Sequence, residues 1–323
     1  EKTRSKFIEN EYWSLQGEFS ASNTKFMANL ITINDSPIAI GSSFNKETGQ
    51  LLKDSTILLD KNQATDLSNT IKDNNWQITF LETKPATQNP YPPFITSTLQ
   101  QEGIRKLNLN ATQVMSVAQK LYENGFITYM RTDSISLSSE ALNACRKEIK
   151  KLYGDKYLPD SPRVYKTKSK NAQEAHEAIR PSGSTFKHPD EIVNQVNDLE
   201  FKLYKLIWKR TMACQMESAQ LENTTMHISD NEYIFEAKGK VIKFDGFLKA
   251  YVEGKDYKEN DADDKENVLP NLNQGDSTVC SSLLAKEHFT KPINRYTEAS
   301  LVKELEKLGI GRPSTYASIM KKI

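Results

Sequence analysis

The hydrophobic periodicity of this chain changes three times along its length, and these changes limit the possible folds more than any other feature. From Trp13 to about Leu81, short stretches alternate apolar and polar residues as half-buried strands do, and strand character returns between residues 220 and 252. Between residues 95 and 216 the apolar residues follow a helical period, and a last helical stretch follows Thr297. The order strands, helices, strands, helix predicts an α+β chain with a helical domain inserted into a β domain.

Residues that cap helices mark where several of the helices begin. Asn110 and Ser138 each precede an amphipathic stretch that stops at Gly125 and Gly154. The predicted helices cover about 60–71, 110–123, 138–153, 198–216 and 297–309. The prolines between residues 85 and 93 predict a linker, and the alternation from Val241 to Val252 predicts a strand.

Composition excludes several classes of protein. The 43 basic and 42 acidic side chains leave a net charge of +1, so no global field attracts a polyanion. A hydrophobic fraction of 37% supports a core, and 26% charged residues is too ordinary for wholesale disorder. No apolar run reaches the roughly 18 residues that a membrane span needs. The 3 cysteines lie far apart, which excludes a disulfide framework and a zinc ribbon and fits a reducing cytoplasm.

Both ends of the sequence have the character of interior positions in a longer chain. Residue 1 is not methionine, and residues 316–323 follow a helical pattern with no Gly or Pro to end it. We therefore expect the sequence to be an internal piece of a longer protein. Its 323 residues indicate about two domains, with one or three as the alternatives.

The segment Ile127 to Ser134 has a spacing that suits attack on a phosphate. If it is extended, Tyr129, Arg131 and Asp133 lie on one face. A phenol, with a pKa of about 10, needs a nearby cation to become a nucleophile, and a guanidinium held by a carboxylate supplies one that also binds phosphate. On spacing alone, a half-buried strand with a surface Arg–Asp pair is the commoner outcome.

Two further segments carry groups that bind phosphate. His176 and Arg180 are four residues apart and would share one face of a helix, although a solvated helix with Glu–Arg pairs is the commoner case. Residues 309–317 place Arg312, Ser314 and Thr315 around a helix start at Pro313, where free N–H groups can hold a phosphate, although an ordinary helical corner has the same pattern. The basic run 146–180, with its three tyrosines, suits a single strand or simply a solvated face.

One acidic cluster resembles a metal site but lacks one of the acidic residues that such a site needs. Asp261, Asp263 and Asp264 precede Lys265, which stands where the third acid of a DxDxE triplet is needed. The cluster also lies in an acidic loop without flanking strands. The sequence therefore predicts no metal site in this chain.

Taken together, six segments closely resemble the motifs of type IA DNA topoisomerases, in the order of that family and most like its bacterial topoisomerase I members. The segments are 94–101, 127–134, 175–181, 245–248, 269–276 and 295–317. The resemblance covers nearly the whole chain, and six ordered motifs outweigh the commoner outcome at each single motif.

The resemblance implies a role for each candidate catalytic residue. Tyr129 matches the nucleophile that forms a 5′-phosphotyrosine, Arg131 the active-site arginine, and His176 the histidine beside it. Asp133 and Arg180 are expected to support them.

The resemblance also implies DNA as the partner. Arg312, Ser314, Thr315 and Tyr316 match the segment that contacts the bound single strand. The partners would be single-stranded and negatively supercoiled DNA, without ATP or a membrane, and the protein would be a cytoplasmic, nucleoid-associated monomer.

The family fold implies a multidomain α+β architecture, a β arch around a DNA-sized hole with an inserted helical gate and helical single-strand-binding segments at both ends. The expected bounds are 1–23 for part of the helical domain, 24–89 and 215–285 for the β arch, 90–214 for the gate carrying Tyr129, and 286–323 for a second helical segment. The family's Toprim domain, which holds Mg²⁺ with a catalytic glutamate and lysine, has no counterpart in this sequence. We therefore expect Mg²⁺ only in the full-length enzyme, and a chain that alone binds single strands without turnover.

Three other interpretations were compared with this one. A tyrosine recombinase places HxxR before a C-terminal tyrosine, whereas Tyr129 precedes His176 here and position 179 is Ile, which excludes that class. Within the family, a topoisomerase III or reverse gyrase piece is an alternative. A non-enzymatic helix–turn–helix protein built on residues 301–323 is another, but it leaves the Tyr129 and His176 segments unexplained.

Overall fold

A computed structural model of the chain describes residues 2–21, 24–165, 176–256 and 268–322. The chain divides into two compact units. The first comprises Glu1–Ala86, Leu221–Ile242 and Ala262–Arg295, and the second comprises Thr87–Gln220, Lys243–Asp261 and Tyr296–Ile323. The helical middle of the chain is therefore inserted between strands, as the changes of period predict, and the α+β class is confirmed.

Seven described strands form one sheet in the order β1-β7-β4-β5-β6-β2-β3. Because β2 pairs with both β1 and β6, six of these strands close into a ring. The pairings of β1 with β2 and with β7 are antiparallel, with Gln16 opposite Asn29 and Tyr12 opposite His288. The strands are β1 Glu11–Ala21, β2 Thr24–Ile33, β3 Ser36–Pro37, β4 Trp76–Gln88, β5 Ala219–Ser229, β6 Tyr233–Phe244 and β7 Ser277–Phe289.

Alternate side chains of these strands build the core of the first unit. On β1, Leu15, Gly17 and Phe19 are buried while Gln16 and Glu18 are more exposed, which is the pattern of a strand with one covered face. The rings of Phe19, Trp76 and Phe235 meet edge to face, with centroids 5.2 to 5.6 Å apart. Such pairs stabilise the core beyond the area that they bury.

The structure describes eight α-helices, and capping residues mark the starts of four that the sequence predicts. Asp60, Asn110, Ser138 and Thr297 each accept a hydrogen bond from the backbone N–H three residues later. The helices are α1 Lys61–Thr70, α2 Thr96–Leu107, α3 Ala111–Glu123, α4 Ser139–Tyr153, α5 Pro189–Ile192, α6 Asp198–Ala213, α7 Glu298–Lys307 and α8 Tyr316–Lys322. In the second unit, α2 packs against α3, α6 and α7.

Two predicted bounds are wrong. The strand predicted for Val241 to Val252 ends at Phe244, because Gly246 takes a φ of +50° and a 3₁₀ turn follows it. The predicted linker overlaps β4, which runs through Pro85 to Gln88. The pairing of β4 with β7 joins Trp76 and Gln77 to Thr278 and Ser277, well before Pro85, so that proline occupies a part of β4 where its missing N–H is tolerated.

The assignment of residues 1–23 to part of a helical domain stays a prediction. The described part of this range holds only a 3₁₀ turn, Arg4–Lys6, before β1 begins at Glu11. The alternation from Trp13 onwards was the better guide, because a period of two buries one face of a strand and no face of a helix.

A buried ion network joins α2 to the chain that follows β6. The carboxylate of Glu102, fully buried on α2, accepts hydrogen bonds from the Tyr251 hydroxyl and from the Gly254 N–H, and Lys106 lies 3.2 Å away. Arg105 makes a two-pronged contact with Asp256 at 2.6 and 3.0 Å. Every charge of this network therefore has a partner of opposite sign or a hydrogen-bond donor.

Candidate active site around Tyr129

The segment that carries Tyr129 is held by hydrogen bonds at both ends. At one end, the Thr128 N–H donates to the Arg180 carbonyl at 2.9 Å, and Ile127 bridges to Pro181. At the other end, the Thr96 N–H donates to the Thr132 carbonyl, and the Thr96 hydroxyl donates to the Met130 carbonyl and accepts from the Thr132 N–H. Three of the motif segments, which begin at residues 94, 127 and 175, therefore meet at this site.

The side chains of this segment alternate between solvent and core. Met130, Thr132 and Ser134 are buried, whereas Tyr129 is 38% exposed, Arg131 is exposed and Asp133 is half-buried. Burial thus alternates along the segment as a period of two predicts, while the common face of Tyr129, Arg131 and Asp133 stays a prediction. The segment is not a regular strand, since Ile127 makes an isolated bridge and a bend follows it.

Two rings flank the phenol of Tyr129. The Tyr122 ring lies 5.2 Å away, centroid to centroid, in an edge-to-face arrangement, and the His176 ring lies 5.9 Å away. Neither Tyr129 nor His176 makes a hydrogen bond with another described residue. The phenol and the imidazole are therefore side by side, and both are open to a ligand.

Arg131 differs from the expectation in one respect. Within the described part of the chain, its guanidinium forms no ion pair or hydrogen bond, so the predicted Arg131–Asp133 pair is absent there. Burial raises the pKa values of Glu306 and Tyr316, and the charge of Asp133 adds a smaller increase to both. An exposed guanidinium with free donors can bind a phosphate in a two-pronged contact.

The helix predicted around His176 is not found in its described part. Residues 176–182 form no helix: Ile179 is bridged to Phe94 and Pro181 to Ile127, and residues 171–175 lie outside the described residues. Pairing on both sides satisfies the backbone in this conformation, and the residue before a proline avoids the helical region. His176 is exposed while Arg180 is buried, so the two do not share a face.

Arg180 is committed to holding the fold. Its guanidinium donates to Glu177 Oε2 at 2.6 Å and to the carbonyls of Pro181 and Gly183 at 2.8 and 3.1 Å. Glu177 also accepts from the N–H of Ser138, the cap of α4. Burial alone would raise the pKa of Glu177, but the hydrogen bonds from Ser138 and Arg180 and the charge of Arg180 lower it overall. Arg180 therefore holds the His176 segment in place.

The segment 309–317 presents some of its predicted residues and buries another. Arg312 and Ser314 are exposed, Thr315 is half-buried and Tyr316 is buried. Arg312 donates to the carbonyls of Gly309 and Gly311, and its own N–H donates to the Thr315 hydroxyl. Helix α8 begins only at Tyr316, because residues 313–315 form a turn, so Pro313 does not open the helix as predicted.

The basic run 146–180 is not an exposed aromatic platform in its described part, which excludes residues 166–175. Tyr157 is buried and its hydroxyl donates to Asp245, and the Tyr165 hydroxyl donates to the Cys214 carbonyl. Tyr153 packs on the Tyr157 ring. These tyrosines help to build the core.

Sequence reasoning missed four residues that position the site: Thr96, Tyr122, Thr128 and Glu177. The Thr128 hydroxyl donates to the Ala178 carbonyl at 2.8 Å and accepts from the Arg180 N–H at 3.0 Å. Of the four, only Glu177 left a signal, its i,i+3 spacing from Arg180. Hydroxyl-to-backbone contacts between distant segments leave no periodic pattern.

The described residues contain no group of three or more His, Cys, Asp or Glu side chains that could hold a metal ion. This donor set does not fit a Mg²⁺ site, which needs several converging oxygens. The acidic triplet 261–266 lies outside the described residues. The helices that the structure describes are all too short or too polar to cross a bilayer.

Comparison with known proteins gives one consistent result. A family profile described as DNA topoisomerase matches residues 1–323. DNA topoisomerase 1 of Synechococcus elongatus is 48% identical over 321 residues, which are 99% of this chain and 36% of the relative. DNA topoisomerase 1 of Mycolicibacterium smegmatis is 47% identical over 337 residues, covering 100% of this chain and 36% of the relative.

A solved structure agrees with the sequence relatives. The structure of full-length topoisomerase I from Thermotoga maritima matches with a TM-score of 0.75 and 30% identity, over 99% of this chain and 48% of that one. This chain spans about 36% of the length of the curated relatives that it matches. The profile, the relatives and the fold agree, and the chain belongs to the DNA topoisomerase family.

Proposed function

We propose that this chain is the strand-cleaving core of a type IA DNA topoisomerase, with Tyr129 as its nucleophile. The observation that carries the proposal is the exposed phenol of Tyr129, whose ring centroid lies 5.9 Å from that of the exposed His176 imidazole. Arg131, two residues along the chain, has a guanidinium without a partner among the described residues. A nucleophile, a cation and a hydrogen-bonding ring at one solvent-facing place are the parts that attack on a phosphodiester needs.

The chemistry can be written with its atoms in balance. The Tyr129 oxygen bonds to phosphorus and loses its proton, the bond to the 3′ oxygen breaks, and the leaving 3′ oxygen takes a proton. The product is a 5′-phosphotyrosine and a free 3′ hydroxyl. Religation reverses these steps. No ATP is needed, because the phosphate ester bond to Tyr129 replaces the phosphate ester bond to the 3′ oxygen that was broken. Arg131 binds the non-bridging phosphate oxygens, and His176 hydrogen-bonds to the same phosphate.

The single strand is proposed to follow the segment after α7. The exposed side chains of Arg312 and Ser314, together with Thr315, supply a cation and two hydroxyls for backbone phosphates. Tyr316 is buried and supports this turn from below. The substrate would be negatively supercoiled DNA, which opens locally into single strands, and residues 90–214 would act as the gate that carries Tyr129. We propose a monomer that works on DNA in the cytoplasm.

The proposal assigns the remaining chemistry to parts of the relatives that this chain does not span. Mg²⁺, which in phosphoryl transfer neutralises developing charge, would be held there by carboxylates, since the described residues do not form such a site. We therefore expect the 323-residue chain to bind single strands and not to turn over. Because the relatives matched are named DNA topoisomerase 1, the proposal favours that group over topoisomerase III or reverse gyrase.

The test is covalent trapping in a full-length enzyme carrying this core. A labelled single strand should form an adduct that Tyr129→Phe abolishes, while affinity for the strand changes little. Tyr122→Phe is the matched control, because its ring lies 5.2 Å from Tyr129 and is equally exposed, at 40% against 38%. An adduct that peptide mapping places on Tyr122, or relaxation of plasmid by the 323-residue chain alone, would contradict the proposal.

A further inference from the structure

A cavity of about 560 Å³ lies in the second unit, between the beginnings of α3 and α7, and the end of α8 borders it. Small-molecule sites in proteins usually measure about 300–1,000 Å³, so a cavity of this size can hold one nucleotide. Its lining includes Asn110, Thr112, Gln113, Tyr296, Glu298 and Lys321.

Hydrogen bonds fix the walls of this cavity. The Ala111 N–H of α3 donates to Glu298 Oε1 at 2.8 Å, which joins the beginnings of the two helices. Thr297, the cap of α7, donates its hydroxyl to Asp256 Oδ1, which also accepts from Arg105 of the buried network. Helix α8 packs on both α3 and α7. The cavity is therefore built by residues that are held in place before a ligand binds.

Most of the polar groups in the lining that remain free are hydrogen-bond donors. The amide oxygen of Asn110 accepts from the Gln113 N–H at 2.8 Å, and that of Gln113 accepts from the Asn110 N–H at 2.9 Å. Both amide NH₂ groups are therefore left free. The Thr112 hydroxyl and the Lys321 ammonium make no hydrogen bond or ion pair with another described residue. Free donors, one of them a cation, suit a ligand that presents phosphate and carbonyl oxygens.

Tyr296 adds an aromatic ring to these donors. It is 64% exposed, and within the described part of the chain it makes no hydrogen bond and no contact with another ring. A side chain so exposed buries little apolar area, so it contributes little to the core. Bases stack on exposed aromatic rings whatever their identity, because every base has a flat aromatic face. A ring beside free donors and a cation is therefore a set of groups that can hold one nucleotide.

The cavity and the proposed strand-binding turn lie at opposite ends of the same two helices. Helix α7 begins at the cavity and ends just before residues 309–315, and α8 begins after them and reaches the cavity with Lys321. Helix α7 has 10 residues, which corresponds to a length of about 15 Å. A strand bound at Arg312 therefore reaches Tyr296 by following these helices for roughly that distance.

We propose that this cavity is a second contact for the single strand and takes a nucleotide several positions away from those bound at Arg312. The base stacks on Tyr296, and the Lys321 ammonium binds a phosphate oxygen. The free amides of Asn110 and Gln113 bind oxygens of the base or of the backbone. The inference rests on the proposed function, because the ligand is the same strand. A free mononucleotide has the same chemistry, and the experiment separates the two.

The experiment uses the chain and oligothymidylates that carry a single 5-iododeoxyuridine, which cross-links under ultraviolet light to an aromatic ring stacked on it. As the iodinated base is moved along the strand, one position should cross-link to Tyr296, as identified by peptide mapping. Tyr296→Ala should weaken binding of a fluorescein-labelled oligothymidylate, measured by anisotropy, about 5- to 150-fold, because one base loses its aromatic partner. Tyr296→Phe keeps the ring and should bind like the wild type.

A pair of neighbouring lysines provides the matched control. Lys321→Gln should weaken binding and reduce its salt dependence by about one released counterion. Lys322→Gln removes an exposed lysine that does not line the cavity, and it should weaken binding less. Equal losses in the two variants would contradict the role of Lys321 in the cavity.

The remaining outcomes separate this inference from the proposed function. A strand that binds without a cross-link to Tyr296, and with unchanged affinity in folded Tyr296→Ala, would overturn this inference alone. Cross-linking of free 5-iododeoxyuridine monophosphate to Tyr296, with none from the strand, would assign the cavity to a mononucleotide and also overturn it. A wild-type chain without affinity for single strands would overturn the proposed function and this inference with it.

Discussion

The second unit holds two groups of charged residues that are treated in opposite ways. Around Glu102 the charged side chains are paired, and the central carboxylate is fully buried. At the site of Tyr129, by contrast, both Arg131 and His176 are exposed, and they make no hydrogen bond within the described part of the chain. Charges that hold a fold are neutralised inside it, whereas charges that act on a ligand must keep donors free until it arrives.

Two arginines of the site show the same contrast at close range. Arg180 uses its guanidinium on Glu177 and on two carbonyls, and it is 6% exposed. Arg131 is exposed and unpaired among the described residues. Their residue type is the same, so the environment alone separates a structural arginine from one that can bind phosphate.

The largest expected effect is on stability, at Glu102. Glu102→Ala leaves Arg105 and Lys106 partly buried with fewer partners and the Tyr251 hydroxyl without its acceptor, which should cost about 3–5 kcal/mol of unfolding free energy. Urea denaturation of the chain measures it. The control is Glu304→Ala, a more exposed pair on α7, which should cost about 0–1 kcal/mol. Equal costs for the two variants would remove the contrast.

The next effect is on catalysis, at Arg131. In a full-length enzyme, Arg131→Ala should slow cleavage by about 10²–10³-fold, roughly 3 kcal/mol, because a charged contact to the reacting phosphate is lost. Its melting temperature should stay close to wild type. Arg180→Ala should instead lower the melting temperature, since Glu177 loses its partner. A strong loss of stability in Arg131→Ala would make it a structural residue.

A smaller loss of cleavage is expected at His176. His176→Ala should slow adduct formation by about fivefold, because a neutral hydrogen bond is worth about 1 kcal/mol. His176→Gln should recover part of the rate, since an amide can still donate. Single-turnover kinetics on a labelled strand would measure both variants. Rates equal to wild type in both would remove His176 from the proposed site.

The smallest effect is a pH dependence of stability at Glu177. In the folded chain, Ser138 and Arg180 lower the pKa of Glu177 despite its burial. The stability that Glu177 contributes is therefore present above the pKa of its carboxyl group in the unfolded chain. It is lost as pH falls through the pKa of the same group in the folded chain. Glu177→Gln should therefore be less stable than wild type near neutral pH, and the difference should shrink below about pH 4. Thermal melting between pH 3 and 7 measures this. The pH dependence of stability has the opposite direction at Glu306. Burial raises the pKa of Glu306, so the stability that it contributes falls as pH rises.

Local signals predicted the helices and the first strands well. Caps at Asp60, Asn110, Ser138 and Thr297 fix helix starts by a contact between residues three apart, which a sequence displays directly. The alternation of burial from Tyr129 to Ser134 was also predictable, because it shows in the alternation of residue types along the sequence.

Features that depend on distant partners were not predictable. His176 was assigned to a helix because its spacing from Arg180 fits one, but pairing with Phe94 and Ile127 keeps residues 176–182 out of a helix. The burial of Arg180 and Tyr316 likewise depends on groups far along the chain. The domain bounds taken from the family remain a prediction.

The hydrogen bonds between Thr96 and Thr132 have a consequence for conformational entropy. Fixing the backbone of one residue costs about 1–2 kcal/mol, and a loop that became ordered only when DNA bound would lose that amount for each residue out of its affinity. Because residues 127–132 are already anchored at both ends, that loss belongs to the folding of the chain. The segment that carries the phenol is thus ordered before the proposed substrate arrives. Binding then only has to bring the phosphate to the phenol, without ordering this segment.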